Sequence, residues 1–271
     1  MATWISARMG QFAYFNQQLG HPDWTGKRVL DFGGNVGNIL LDRKCAIEPR
    51  DYWSIDVSRD AMAEGKRRHP EAHFLFYDRY NHEYNPTGKV GLPIPDPGVR
   101  FDFIVAWSVV THNSKSETLD FVDQLMELLT EDGRLAFTFM DPLWTAPPGW
   151  ARETEAPGKS NLGWLLGKRQ HENKPEMDVP GLLTKVENSK VTWLNLVNAD
   201  KLIFDPDDDG LSGVEPAEDG DPAHQPHRTY LSFCTPEYMS RLYPNAEIRP
   251  PAEPERHHCA ILSARKGTGR I

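Results

Sequence analysis

Apolar residues in the first 140 positions come in short dense runs separated by stretches with a different period. "KRVLDFG" (27–33), "DYWSIDVS" (51–58), "AHFLFYD" (72–78), "FDFIVAWSVV" (101–110) and "GRLAFTFMD" (133–141) are each too short for a helix of ordinary length. They are apolar enough to be strands covered on both faces. The intervening stretches read as helices. "NVGNILLDRK" (35–44) has helix-compatible spacing. Ser58 suits the cap of a helix over "RDAMAEGKRRH" (59–69). "SKSETLDFVDQLMELLTEDG" (114–133) places Leu119, Phe121, Val122, Leu125, Met126, Leu128 and Leu129 on one face, with Gly133 as its expected end. "QFAYFNQQ" (11–18) reads as a further helix near the N-terminus. Strand and helix in alternation imply a parallel sheet with right-handed crossovers and helices on both faces.

The pattern breaks after Asp141. Residues 142–228 are rich in Pro, Gly and charge, and 205–221 is an acidic stretch with few apolar residues. Within this segment "KVTWLNLVNADKLIFD" predicts a hairpin turning at Asn198, Ala199 and Asp200. Regular structure resumes with "TPEYMSRLYP", a short helix with Thr235 as cap and Pro236 at its first position. Two strands, "AEIRPP" and "HHCAILSARK", close the chain. The expected organisation is an N-terminal helical lid (1–23), an α/β core (24–141 and 229–271) and an insertion with an acidic loop (142–228).

Composition narrows the partners. The 271 residues carry a formal net charge of −9. A phosphate backbone would be repelled overall, and the one basic cluster, "KRRH" (66–69), is short. Nucleic acid is therefore not expected as a partner. No apolar run is long enough to span a bilayer, and "MATWISARMG" lacks a basic start followed by an apolar stretch. The expectation is a cytoplasmic protein with no membrane partner. Cys45, Cys234 and Cys259 are few and far apart, which opposes a disulfide framework and a four-cysteine metal site.

Candidate chemistry concentrates at "RVLDFGGNVGN" (28–38), where glycines follow a buried strand. In an open α/β sheet ligands bind beyond the carboxyl ends of the strands. Glycines there let the chain bend tightly and let a ligand approach without a Cβ in the way. Asp56, ending the second strand beside Val57, is placed to accept hydrogen bonds from ribose hydroxyls. The ligand class is then a nucleoside-bearing cofactor. Asp31 opposes a dinucleotide, because a carboxylate repels a pyrophosphate and attracts an ammonium.

With these residues the chain resembles the class I S-adenosylmethionine-dependent methyltransferases over 24–141 and 229–266. "LDFGGNVGN" is similar to the family's acidic residue followed by alternating glycines, with Asn35 where the middle glycine usually stands. The resemblance implies a doubly wound, Rossmann-like, seven-stranded sheet whose last strand is antiparallel, carrying an insertion after the fifth strand. It implies S-adenosyl-L-methionine as cofactor, with Asp31 near its methionine portion and Gly33, Gly34 and Asn35 packed beneath. Asp56 and Val57 would lie at the ribose, Asp78 at the adenine amine, and Trp107 and Ser108 beside the sulfonium.

Methyl transfer to a hydroxyl needs the proton removed, commonly by His or a carboxylate. His112 in "VVTHN", just past the fourth strand, is the candidate general base. Thr111, Asn113, Tyr14 and Trp144 are candidates for contact with the acceptor. Trp150, Trp164 and Trp193 are further aromatics in the insertion, suited to covering a partly apolar substrate or to a satellite core. No metal is expected: His257 and His258 are adjacent on a strand and point to opposite faces. The expected acceptor is a small molecule of the secondary-metabolite kind, methylated on oxygen before nitrogen or carbon, with a homodimer as the assembly to test. A nicotinamide-dependent oxidoreductase and a cofactor-binding protein without methyl transfer stay open as alternatives.

Overall fold

The computed structural model describes residues 10–81, 84–148, 160–161, 184, 192–197, 201–206, 229–253 and 255–264. Ten strands and four α-helices lie among them. The helices are α1 (Gln11–Gln18), α2 (Arg59–Arg68), α3 (Lys115–Glu127) and α4 (Pro236–Leu242). The strands are β1 (Val29–Phe32), β2 (Tyr52–Asp56), β3 (His73–Phe76), β4 (Phe101–Ala106), β5 (Leu129–Phe139), β6 (Thr192–Val197), β7 (Lys201–Pro206), β8 (Thr229–Cys234), β9 (Glu247–Arg249) and β10 (His258–Ser263).

Seven strands form one sheet in the order β3-β2-β1-β4-β5-β10-β9. The pairs β1–β2, β1–β4, β2–β3 and β4–β5 are parallel, and the closing strands run antiparallel. This is the doubly wound α/β sheet that the alternation of runs predicts. The chain reverses its winding between β1 and β4, so the loops after these two strands flank the switch point where ligands bind. β1 is buried at all four positions, because both faces of the sheet are covered.

Two helix starts follow from the local sequence. Ser58 Oγ accepts from the N–H of Ala61 at 3.2 Å and caps α2. Thr235 plays the same part for α4, with Pro236 in the first turn. α3 buries Phe121, Val122 and Leu125, each contributing roughly 1.5–3 kcal/mol by removal from water.

Two expectations are corrected. The helix expected over 114–133 ends at Glu127, and Leu129 already belongs to β5, paired with Phe101. The carbonyl of Leu128 is taken at 2.9 Å by the N–H of Phe101, a partner distant in sequence that stops the helix. Gly133 then serves the irregular start of β5: a Cβ there would come within 2.7 Å of the Phe101 carbonyl oxygen. The helix expected over 35–44 is only a 3-10 helix at Asn38–Leu41. Asp42 ends it and turns its carboxylate to α1, accepting the N–H of Ala13 at 2.9 Å.

The contacts divide the chain into two compact units, residues 1–109, 117–137 and 261–271, and residues 110–116 and 138–260. In the first unit, aromatic packing includes Trp24 on Phe103 (4.5 Å) and Trp53 stacked on His73 (4.2 Å). In the second, a three-stranded antiparallel sheet has the order β7-β6-β8. The expected hairpin is its β6–β7 pair, with Val197 opposite Lys201; its turn residues lie outside the described residues. β8 was not legible as a strand. Trp193 on β6 is wholly buried, 6.4 Å from the ring of Tyr238. Trp150, Trp164 and the acidic stretch beyond Pro206 also lie outside the described residues. Cys45 is half-buried and Cys234 and Cys259 are buried, all as free thiols.

Candidate functional site

The turn after β1 alternates its backbone handedness. Gly33 (φ +76°), Asn35 (φ +52°) and Gly37 (φ +83°) are left-handed, while Gly34 between them is not. Asn stands where a β-branched residue would be strained, because its short polar side chain tolerates this region. The glycines also answer to the protein itself. A Cβ on Gly33 would lie 2.4 Å from Val109 Cγ2, and one on Gly34 would lie 2.7 Å from the Asp31 carboxyl and from Ser54 Oγ. The turn is thus pressed onto the sheet edge between β2 and the segment after β4.

Asp56 holds the turn from the neighbouring strand. Its Oδ2 accepts the N–H of Asn35 at 2.9 Å and its Oδ1 the N–H of Ser58 at 2.8 Å. A carboxylate has about four acceptor positions, so beside its backbone donors it retains capacity for a ligand hydroxyl. Burial raises its pKa; the backbone donors of Ser58, Asn35 and Val57 pull it back down. Val57 is itself half-buried beside it.

Asp31 lies under the turn rather than on it. It is 1% exposed and accepts the Tyr52 hydroxyl at 2.8 Å. Burial pushes its pKa up to about 7; the Tyr52 hydrogen bond opposes the rise and the Asp56 charge adds to it. The same burial, with Asp31 beside it, raises the Tyr52 phenol well above its ordinary value.

Asp78 follows β3 and is half-buried, with Oδ1 3.3 Å from the Asn85 amide nitrogen that donates to it. Trp107 follows β4 and meets Tyr14 edge-on at 4.8 Å and Phe15 at 5.9 Å. Ser108 beside it is left-handed (φ +56°) and ends the strand run earlier than the apolar pattern predicted. Tyr14 is wholly buried, so contact with an acceptor would need α1 to move.

Residues 30–135 match a family model described as a methyltransferase domain. By this match the segment is similar to methyltransferase domains, and the match covers less than half of the chain. The match takes in the turn, Asp56, Asp78 and Trp107. The chain is also similar to a TehB-like methyltransferase of Corynebacterium glutamicum, at 19% identity over 49% of this chain and 63% of that one, with a TM-score of 0.36. It is similar to DesVI of Streptomyces venezuelae at 18% identity over 52% of this chain and 53% of that one, TM-score 0.34. A glycopeptide N-methyltransferase, MtfA, is matched at 12% identity over 94% of this chain and 89% of that one, TM-score 0.47. The chain thus spans less than two thirds of the first two, and likenesses at this level say nothing about the acceptor.

Of the candidates for catalysis and acceptor binding, Thr111, His112, Asn113 and Trp144 belong to the second compact unit and Tyr14 to the first. Thr111 and His112 lie in a 3-10 helix (Val110–His112), with Thr111 buried and His112 half-buried. Asn113 is buried; its carbonyl accepts the Ser232 hydroxyl. Trp144 is half-buried, with the Arg256 guanidinium 5.7 Å from its ring centre and His258 edge-on at 6.5 Å. Asp141 in the same unit is pushed up to about 6, and His258 down to about 4, both by burial. No cluster of three or more His, Cys, Asp or Glu suited to a metal occurs among the described residues.

One residue beside the turn, Tyr52, was not legible in the sequence. Gly37, expected in the first turn of a helix, instead continues the left-handed 33–35–37 alternation just before the 3-10 helix. Tyr52 gave no signal, since it meets Asp31 only through the sheet; Asn85 lies in the Tyr- and Asn-rich stretch 80–86, whose composition pointed to the cofactor or the cleft mouth, but its partner Asp78 did not show in the sequence.

Proposed function

We propose that this chain transfers the methyl group of S-adenosylmethionine to a small-molecule acceptor, a hydroxyl oxygen before a nitrogen or carbon. The observation that carries the reading is the left-handed turn at Gly33, Asn35 and Gly37, tied through the Asn35 N–H to Asp56. In the proposed complex the remaining acceptor capacity of Asp56 serves the ribose, with Val57 alongside. Gly33, Gly34 and Asn35 bring backbone against the methionine portion, and Asp31 beneath them supplies a negative field when ionised. That field favours an ammonium and opposes a pyrophosphate, so the nicotinamide-dependent reading is the weaker one. Asp78 accepts from the adenine amine, and Trp107 and Ser108 border the sulfur.

Bound there, S-adenosylmethionine supplies a methyl carbon activated by positive sulfur. What remains for the protein is alignment and exclusion of water. His112 would take the proton of a hydroxyl acceptor; the cofactor would supply the methyl group, its carbon–sulfur bond breaking as the acceptor oxygen bonds carbon, with S-adenosylhomocysteine as the leaving group. Thr111, Asn113, Trp144 and, if α1 moves, Tyr14 orient the acceptor. The net charge of −9 favours a small molecule over nucleic acid, and no helix among the described residues is long and apolar enough to cross a membrane. A secondary metabolite as acceptor, a cytoplasmic setting, a homodimer, a lid at 1–23 and a substrate-side role for 142–228 belong to the same reading.

Calorimetry with S-adenosylmethionine, S-adenosylhomocysteine and NAD tests it. The expected result is heat for the first two and none for NAD. Asp56→Ala should weaken S-adenosylhomocysteine binding by about tenfold or more, the worth of hydrogen bonds to a charged acceptor. Unchanged affinity would overturn the ribose assignment. Transfer of labelled methyl to a panel of phenols, alcohols and amines separates an enzyme from a binding protein.

A further inference from the structure

The loop after β3 is built around Asp78 from two sides. The N–H of Arg79 returns to the carbonyl of Tyr77 at 2.7 Å, a tight turn centred on Asp78. The N–H of Lys89 donates to the carbonyl of Asp78 at 2.7 Å, and that of Tyr80 to the carbonyl of Lys89 at 3.0 Å. Lys89 thus lies beside both Asp78 and Tyr80. Burial alternates along its first residues: Tyr77 and Arg79 face inward and Asp78 between them does not.

Arg79 is 4% exposed, an unusual place for a guanidinium. Its Nη1 lies 3.0 Å from the Leu92 carbonyl oxygen, 3.0 Å from Asp120 Oδ2 on α3 and 3.2 Å from the Tyr77 hydroxyl. Two hydrogens on that nitrogen serve the first two partners; the Tyr77 hydroxyl gives its own proton to the same Leu92 carbonyl. The guanidinium also lies 4.3 Å from the ring centre of Phe121 on α3. One side chain thus ties the segment at Arg79 both to Leu92 and to α3.

On the other side, the amide nitrogen of Asn85 reaches Asp78 Oδ1 at 3.3 Å and the carbonyl of Arg79 at 3.0 Å. Its two hydrogens suffice for both. Gly88 makes room for this: a Cβ there would come within 2.5 Å of the Arg79 carbonyl oxygen and the Asn85 amide nitrogen. One carboxylate oxygen of Asp78 is consequently oriented by Asn85 and the backbone beneath it by Arg79.

We propose that Arg79 and Asn85 are positioning residues for recognition of the adenine amino group, acting through Asp78, so that base discrimination depends on the anchor to α3. The proposal rests on the reading of Asp78 as the adenine contact. Arg79 suits the task because its planar fork can bond a carbonyl and a carboxylate while stacking on a ring; lysine offers a point charge alone. Truncating either residue leaves Asp78 in the chain but frees its carboxylate to turn.

The test is the affinity ratio between S-adenosylhomocysteine and its analogue with hydrogen in place of the 6-amino group, measured by calorimetry on the full chain. The wild type should prefer the amino compound by about tenfold or more, and Asp78→Ala should bring the ratio near unity. Arg79→Met and Asn85→Ala should each lower the ratio by about threefold or more while affinity for the deamino compound stays within about twofold. Arg79→Lys should recover part of it. A purely structural role would weaken both ligands together and leave the ratio in place, which overturns the proposal. If Arg79→Met does not fold, the partly exposed Asn85→Ala decides. A ratio that survives Asp78→Ala shows that the adenine reading itself has failed. A ratio lost in Asp78→Ala but kept in the Arg79 and Asn85 variants removes this proposal alone.

Discussion

Asp31→Asn should make the protein more stable at alkaline pH than at acid pH, relative to the wild type. A carboxyl in an unfolded chain has a pKa near 3.9, whereas in the fold Asp31 is raised to about 7 by burial beneath the glycine turn. Below about pH 4 the group is protonated in both states and costs nothing. Between about pH 4 and 7 the unfolded chain releases the proton and the folded chain retains it, so stability falls as pH rises. Above about pH 7 the folded chain holds a buried carboxylate, and roughly 4 kcal/mol has been lost, at about 1.4 kcal/mol per unit. Roughly 2–3 kcal/mol of that loss falls between pH 5 and 8. Asparagine keeps an oxygen to accept the Tyr52 hydroxyl but has no proton to lose. Urea unfolding of both proteins at pH 5, 6, 7 and 8 gives the difference directly. Asp141, raised to about 6, and His258, lowered to about 4, titrate in both proteins and cancel in it. The variant's advantage should grow by roughly 2–3 kcal/mol across this range. Parallel curves would mean that Asp31 is ionised throughout and that burial does not control it.

Gly34→Ala should cost about 1–3 kcal/mol in urea unfolding, because the new methyl meets Asp31 and Ser54 at 2.7 Å. Asn35→Gly should be nearly neutral in melting temperature, while Asn35→Val should destabilise by about 1–3 kcal/mol at φ +52°. If cofactor ammonium sits over Asp31, affinity for S-adenosylhomocysteine should rise from pH 6 to 8 in the wild type and stay flat in Asp31→Asn, as read by calorimetry. His112→Ala should slow transfer of labelled methyl by about a hundredfold or more with cofactor affinity unchanged, and an unchanged rate would remove it as base.

The order of β1 to β5, with α2 and α3 among them, was written in the chain. Short runs such as 27–33, 51–58 and 101–110 are buried on both faces, and burial of that kind leaves a local apolar signature. Caps at Ser58 and Thr235 are equally local, since the side chain serves a backbone N–H three residues on. The glycine turn with Asp56 was legible because its residues fall at fixed offsets from strand ends. What the fold alone decided involves partners distant along the chain. Phe101 ends α3 by taking the carbonyl of Leu128, and nothing in 114–133 announces it. Tyr52 meets Asp31 across two paired strands, and Arg79 meets Asp120 across 41 residues. A pattern along the chain reports the environment of a residue, polar or apolar, one face or two. It carries no record of which distant side chain fills that environment, and the pKa of Asp31 and the setting of Asp78 depend on that partner.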